Sequence, residues 1–168
     1  NRSREPLNFE IEGYQLKASI NLNITESRAA NVVGIIKSGN RKYRDEYVVI
    51  GAHFDHIGYG GTGSGSRSLK ENTIHPGAND NASGTAGLLE LAQKLSANKG
   101  RLKRSVLLVG FDAEEKGLLG SKYFVEKPTL PLTQIKTMIN MDMIGRVKDS
   151  VVNIGGVGTS PVFRPLID

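Results

Sequence analysis

The sequence lacks cysteine altogether, and this absence excludes disulfide bonds, thiolate zinc sites and a cysteine nucleophile. Tryptophan is also absent and aromatic residues make up only 6% of the chain, so the sequence offers no evident stacking platform for nucleic acid. The net charge of +5 comes from scattered basic residues rather than from a block. No apolar run approaches the ~20 residues that cross a bilayer. We therefore predict neither a nucleic-acid partner nor a membrane-spanning helix.

What is present is the composition of a globular protein of about one domain. The chain has 168 residues, of which 38% are hydrophobic, and its 20 glycines bring the apolar share to roughly half. Continuous apolar runs at 47–52 and 105–111 are typical of strands covered on both faces. Between them, leucines at helical spacing predict a helix over 83–98.

The remaining pattern continues this alternation of strands and helices. Further strands are predicted at 29–36, 137–143 and 151–154, further helices over 115–125 and from Ser160 onward, and a glycine-rich loop over 56–79. Alternating strands and helices predict an α/β fold with a mainly parallel sheet.

Residues 1–28 precede the alternating part and are predicted to be a leading strand region. Apolar residues at every second position from Leu16 to Ile24 have the period of a half-buried strand. We expect that strand to form an antiparallel edge with the strand at 29–36. We interpret the region as a candidate junction with a preceding domain.

Polar residues follow the apolar runs at the points where the predicted strands end. Ligands bind beyond the carboxyl ends of the strands in α/β sheets, so four separate segments are predicted to bring one histidine and several carboxylates to the same edge. The residues concerned are His53, Asp55, Asp80, Asp112, Glu114, Glu115 and Asp142. Crowded carboxylates repel one another unless cations neutralise them, and a histidine with carboxylates suits zinc in a hydrolytic site.

Each of these pieces alone has an ordinary structural explanation. A His-x-Asp pair is common at strand ends, and adjacent glutamates are favourable at a helix start. The segment 77–84 alone would be a glycine-rich turn before a helix. Asp142 is harder to explain, because a lone carboxylate inside an apolar strand is costly without a partner. The combined order and placement favour a metal site.

The spacing also suggests roles for four of the residues. His53 and Asp55 share one face of an extended chain, so the Asp55 carboxylate is positioned to accept the imidazole N–H and to fix the tautomer that binds metal. The side chains of Glu114 and Glu115 diverge because the two residues are adjacent. One of them can therefore ligate a metal while the other acts as general base.

Four motifs, GAHFDH (51–56), GANDNASG (77–84), FDAEEKGLLGS (111–121) and NMDMIG (140–145), resemble in wording and order those of the co-catalytic di-zinc exopeptidases, which include secreted aminopeptidases and glutamate carboxypeptidase. The resemblance implies a three-layer α/β fold, in which helices flank a mixed, mainly parallel sheet, and a partial catalytic domain over 29–168. It also implies that His53 and Asp142 bind the first zinc, that Asp80 bridges both zincs and that Glu115 binds the second. Asp55 would orient His53, and Glu114 would be the general base.

One ligand implied by the resemblance is missing from the sequence. In the family a histidine well downstream of the NMDMIG motif completes the second zinc site, whereas the histidines of this chain are His53, His56 and His75. We therefore expect a domain truncated at its C-terminus, with a complete first site and a second site that has only Asp80 and Glu115. His56 and His75 are predicted to be solvated loop residues. The chain should bind its first zinc better than its second and be a weak or inactive catalyst.

The resemblance implies a metallo-exopeptidase, and an aminopeptidase fits the motifs best. It would cleave peptides with a free N-terminus through a water that bridges the two zincs, with Glu114 as general base. Three alternatives remain open: a carboxypeptidase or dipeptidase, a glutaminyl cyclase-like enzyme, and a non-catalytic binding module of the same fold. The resemblance also implies a secreted or periplasmic protein.

Overall fold

The computed structural model describes residues 12–24, 26–61, 63–68 and 73–168. The strands are β1 (Val32–Ile36), β2 (Tyr47–His53), β3 (Gly58–Tyr59), β4 (Ile74–His75), β5 (Ser105–Phe111) and β6 (Ile135–Asn140). The α-helices are α1 (Ser83–Ala97), α2 (Leu119–Glu126) and α3 (Arg164–Ile167). Within these described ranges, none of the helices has the length and apolar character needed to cross a membrane.

A four-stranded mixed sheet in the order β1-β5-β2-β6 forms the centre of the fold. β2 runs parallel to both β5 and β6, whereas β1 runs antiparallel to β5. The central strands β2 and β5 are buried almost throughout, as their continuous apolar runs predict. β3 and β4 form a separate antiparallel pair inside the predicted glycine-rich loop, of which residues 62 and 69–72 lie outside the described chain. The predicted α/β fold with a mainly parallel sheet is confirmed.

Helices cover both faces of this sheet. On one face, Leu88 of α1 packs in a cluster with Ile50 and Val106. On the other face, Phe124 of α2 packs edge-on against Phe111 of β5, with 6.0 Å between the ring centroids. The three-layer arrangement implied by the family resemblance is therefore confirmed. Because β2, β5 and β6 are parallel, their carboxyl ends all lie at one edge of the sheet.

Leu107, in the middle of β5, is fully buried, and we expect Leu107→Ala to lower the free energy of unfolding by about 2–5 kcal/mol. The loss combines the apolar area returned to water with the cavity left behind. Urea unfolding should show it as a lower midpoint at an unchanged slope. Leu89→Ala in α1 is the matched control, because Leu89 is 66% exposed and its truncation should cost less than about 0.5 kcal/mol. Equal losses in the two variants would contradict this assignment of the core.

The predicted strand from Leu16 to Ile24 is wrong. Residues 14–24 form no strand in the structure, and Leu16 is 95% exposed. An alternating sequence becomes a strand only where a neighbouring strand offers backbone hydrogen-bond partners, and the antiparallel partner of β1 is β5 instead. Residues 1–11 and 25 of this region lie outside the described chain, and the domain division after residue 28 stays a prediction.

The helix predicted over 115–125 begins later than the sequence pattern indicates. Gly117 and Leu118 have left-handed φ angles of +102° and +62°, which an α-helix does not continue through. α2 therefore begins at Leu119. As a consequence, Glu114 and Glu115 lie on a turn between β5 and α2 rather than in the first turn of a helix.

The remaining differences lie toward the C-terminus. β6 ends at Asn140 rather than at 143, and Met143 has a left-handed φ of +52° that a strand does not accommodate. The strand predicted at 151–154 is reduced to one bridge at Val151. The final helix begins at Arg164 rather than at Ser160, because turns occupy the residues between them.

Candidate metal centre

The predicted site residues lie together at the carboxyl ends of the parallel strands. His53 is the last residue of β2, and the turn after β5 carries Glu114 and Glu115. Asp80 lies in the segment Ala78–Ala82 that leads into α1, where its own backbone is not helical (φ −113°, ψ 96°), and Asp142 follows β6. The parallel order of the sheet is what brings these separate segments to one edge.

His53, Asp80 and Asp142 form a first group of potential metal ligands. The His53 Nε2 atom lies 3.2 Å from Asp80 Oδ1 and 3.6 Å from Asp142 Oδ1. Around a tetrahedral zinc ion, donor atoms are separated by about 3.4 Å. The two measured distances lie on either side of that value. One imidazole and two carboxylates at this spacing therefore fit zinc in both donor type and size.

The backbone carbonyl of Asp55 orients the His53 ring. His53 Nδ1 lies 3.1 Å from that oxygen, which can only accept, so the neutral ring carries its hydrogen on Nδ1 and leaves the Nε2 lone pair free to bind a metal ion. The structure corrects the prediction that the Asp55 carboxylate accepts this hydrogen bond, because the carboxylate lies 3.5 Å from Nδ1. The tautomer is nonetheless the one that metal binding requires.

The Asp55 carboxylate instead holds the turn that carries the two glutamates. Its Oδ1 atom accepts a hydrogen bond of 2.9 Å from the backbone N–H of Glu114, and its Oδ2 atom accepts one of 3.1 Å from Glu115. Both carboxylate oxygens thus have amide partners, which explains why the ring N–H of His53 bonds to the carbonyl. Asp55 therefore fixes the turn after β5 against the end of β2.

A second group of potential ligands consists of His56, Asp80 and Glu115. His56 Nδ1 lies 2.8 Å from Glu115 Oε1 and 4.0 Å from Asp80 Oδ1. Asp80 is common to both groups. The sequence pattern predicts a solvated loop position for His56, but its side chain is only 21% exposed. The available signal was its position three residues after His53, which keeps it near the end of β2.

Asn81 is a positioning residue that the sequence pattern did not single out. It is 1% exposed, and its peptide bond with Asp80 is cis. Asn81 Nδ2 donates to the Met141 carbonyl at 3.0 Å. Its Oδ1 atom accepts from the N–H groups of Gly84 and Met143 at 3.0 and 3.2 Å. These bonds tie the start of α1 to the loop after β6, and so hold together the two aspartates of the first group.

We expect Asn81→Asp to lower the free energy of unfolding by about 3 kcal/mol, because a buried carboxylate oxygen would replace the N–H donor that faces the Met141 carbonyl. Urea unfolding measures the loss. Asn98→Asp is the matched control, since Asn98 Nδ2 donates to the Lys94 carbonyl in an exposed position and its loss should cost less than about 1 kcal/mol. If Asn81→Asp lowers the free energy of unfolding no more than Asn98→Asp does, Asn81 is not a positioning residue.

Glu114 lines a cavity of about 190 Å³ together with His53, Asp142 and Met138. Burial raises the pKa of the Glu114 carboxyl, and the charge of Glu115 raises it further against the opposing effect of His53. Burial lowers the pKa of His53, but the charges of Asp142 and Glu114 outweigh this effect and leave the pKa above its usual value. A half-buried carboxyl with a raised pKa, next to a cavity, has the properties of a general base.

A larger cavity of about 410 Å³ lies against α2 and is lined mainly by apolar side chains, among them Phe124. Asp112 borders it, but its carboxylate oxygens accept backbone hydrogen bonds from Ala30 at 2.9 Å and from Ala113 at 2.8 Å. Like Asp55 and Glu114, Asp112 is a predicted polar residue that belongs to neither ligand group. The smaller cavity beside Glu114 is therefore the candidate site.

A known protein family matches most of the chain. The family described as Peptidase family M28 matches residues 31–167. The chain belongs to peptidase family M28. The resemblance to zinc exopeptidases that the four motifs indicated is confirmed.

Relatives of the chain include proteins named aminopeptidases and one, from Caenorhabditis briggsae, named a glutamate carboxypeptidase 2 homolog. Aminopeptidase YwaD of Bacillus subtilis is 32% identical over 133 residues, which are 78% of this chain and 25% of that protein. Leucine aminopeptidase 2 of Trichophyton equinum is 32% identical over 134 residues, 77% of this chain and 23% of that protein. The structure of BSAP, a zinc aminopeptidase from Bacillus subtilis, matches 68% of this chain and 24% of its own with a TM-score of 0.50 and 30% identity. The chain thus spans about a quarter of the length of these relatives.

Proposed function

We propose that the protein, at its full natural length, is a zinc-dependent aminopeptidase that acts on peptides with a free N-terminus. The observation that carries the proposal is the position of Asp80, whose carboxylate belongs to two ligand groups at once. Two cations that share a carboxylate are close enough to act on one substrate carbonyl. The aminopeptidases of Bacillus subtilis and Trichophyton equinum among its relatives support the choice of an aminopeptidase.

The side chains of the two groups would divide the binding of zinc between them. His53, Asp80 and Asp142 would hold the first zinc, and Asp80 and Glu115 would contribute to the second. Zinc bound there would polarise the carbonyl of the scissile peptide bond and lower the pKa of water. Asp55 acts through its neighbours, because it orients the His53 ring and fixes the turn that carries the glutamates.

Glu114 moves the proton in the proposed reaction. Its carboxylate lines the cavity beside His53 and Asp142 but belongs to neither ligand group. Its oxygens therefore do not bind zinc and are available to accept a proton. It accepts a proton from the attacking water and delivers that proton to the departing amine. Glu114 is ionised again at the end of each cycle.

Hydrolysis of chromogenic aminoacyl anilides tests the proposal. The full-length protein with zinc should release the anilide from substrates with a free α-amino group and not from their N-acetyl counterparts. A chelator should abolish the activity, and added zinc should restore it. Cleavage only next to a free C-terminus would identify a carboxypeptidase, and zinc binding without any hydrolysis would identify a binding module. Either result would contradict the proposal.

The proposal also includes a secreted or periplasmic location, which is supported by the family resemblance alone. Fractionation of the cells that produce the protein should recover it from the medium or the periplasm. Recovery from the cytosol alone would contradict this part of the proposal and leave the catalytic part intact.

A further inference from the structure

We propose that His56 is a nitrogen ligand of the second zinc, together with Asp80 and Glu115. The inference rests on the metal site of the proposed function and adds a residue outside the ligand set that the motifs imply. It also revises the expectation that the second site has only two ligands here.

The three donor atoms of this second group already converge. His56 Nδ1, Glu115 Oε1 and an Asp80 oxygen all lie within 4.8 Å of one another. The distances from His56 Nδ1, 2.8 Å to Glu115 and 4.0 Å to Asp80, lie on either side of the separation of about 3.4 Å between donors of a tetrahedral zinc. The Asp80 oxygen is the same Oδ1 atom that lies 3.2 Å from His53 Nε2. Both imidazoles therefore approach one carboxylate.

Two of these donor atoms are buried without a hydrogen bond. Neither His56 Nδ1 nor Glu115 Oε1 has a hydrogen-bond partner within the described part of the chain, although the two atoms are only 2.8 Å apart. A simple ion pair would direct an N–H at the carboxylate oxygen, whereas these two groups form no hydrogen bond. Buried polar atoms are almost always paired. The geometry points to a third atom that binds both, and a divalent cation has that property.

The His56 ring is held in position by its surroundings. Gly77 has a left-handed φ of +64°, and a Cβ atom there would lie 2.9 Å from the ring. Only glycine therefore lets the ring approach so closely to the segment that carries Asp80. A side chain that is already fixed loses little conformational entropy when it binds a metal.

His75 provides the matched control for a histidine substitution. It lies in the same loop region and contacts His56, but its Nε2 atom lies 2.8 Å from Ser66 Oγ. Among the described residues it belongs to neither ligand group. The loss of the His75 imidazole should therefore leave metal binding almost unchanged.

Zinc titration of the 168-residue chain against a competing chromogenic chelator tests the inference. The unaltered chain and His75→Ala should each bind two zinc ions. His56→Ala should keep one and bind the other at least about 100-fold more weakly, because the loss of a direct ligand exceeds the loss caused by an outer hydrogen-bond partner. X-ray absorption by the two-zinc form should show an average of about one imidazole per zinc.

The possible outcomes separate this inference from the proposed function. If His56→Ala binds two zinc ions as tightly as the unaltered chain, His56 is not a ligand and the proposed function stands. If the unaltered chain binds one zinc, the pair of His56 and Glu115 is an ion pair and the inference is overturned. If it binds none, the metal site of the proposed function fails as well. Circular dichroism checks that each variant is folded, and His56→Gln replaces the alanine variant if that variant unfolds.

Discussion

Glu114→Gln is expected to leave the zinc content unchanged and to lower kcat of the full-length protein by about 100- to 10,000-fold. The glutamine amide has nearly the shape of the carboxylate but cannot accept a proton near neutral pH. Glu114 belongs to neither ligand group, so zinc binding should not depend on its charge. The rate of aminoacyl anilide hydrolysis and the zinc content are measured on the same sample.

Glu126→Gln is the matched control for this variant. Glu126 is the last residue of α2 and is exposed, so the same chemical change there should leave both kcat and zinc content unaltered. Substantial activity in the Glu114→Gln protein would overturn the assignment of Glu114 as general base. A joint loss of zinc and activity would instead make Glu114 a metal ligand.

Asp80→Ala is expected to abolish both zinc binding and hydrolysis, because one carboxylate is removed from two ligand groups at once. Each group loses a direct ligand, so the affinity for zinc should fall by more than about 100-fold at both positions. Equilibrium dialysis with zinc measures the occupancy, and the anilide assay measures the rate. This double loss distinguishes Asp80 from Glu114, for which we expect a loss of turnover alone.

Asp45→Ala provides the control for the loss of an aspartate. Asp45 is exposed and lies just before β2, at the end of that strand opposite His53. Its removal should leave zinc occupancy and activity unchanged. If Asp80→Ala still holds one zinc tightly, the two groups do not depend on a shared carboxylate, and the proposed two-metal arrangement is wrong.

The central strands and α1 could be predicted because their patterns depend mainly on burial. The strand over 105–111 was predicted with the bounds that β5 has, and the strand over 47–52 differs from β2 by one residue. Both are covered on two faces, so almost every residue is apolar and the pattern has one simple explanation. The helix over 83–98 likewise shows its buried stripe, which packs on one face of the sheet.

The leading segment shows where pattern alone is insufficient. The alternation from Leu16 to Ile24 is that of a strand, yet those side chains are exposed and no pairing forms. Which strands pair depends on contacts between distant segments, and the residues that pair between β1 and β5 are 70 to 78 positions apart in sequence. The start of α2 depended on the left-handed backbone at Leu118, a conformation that a leucine does not signal.

In the candidate site, the order of the motifs predicted which residues meet but not which atoms bond. His53, Asp80 and Asp142 meet as expected. The Asp55 carboxylate accepts hydrogen bonds from two backbone N–H groups, and these bonds depend on the shape of the turn after β5. The His56 ring comes close to Glu115 because the backbone at Gly77, which has no Cβ, leaves room for that ring. Such contacts follow from the three-dimensional path of the loops, which the sequence pattern does not specify.

Diffraction at the zinc absorption edge, from crystals of the protein grown with zinc, tests most directly whether these side chains hold metal. We predict two anomalous peaks within about 2.5 Å of Asp80 carboxylate oxygens, one beside His53 and one beside Glu115. Peaks found only at the protein surface, with Asp80 bound to no metal and His53 turned away from Asp142, would contradict the metal centre and with it the proposed peptidase activity.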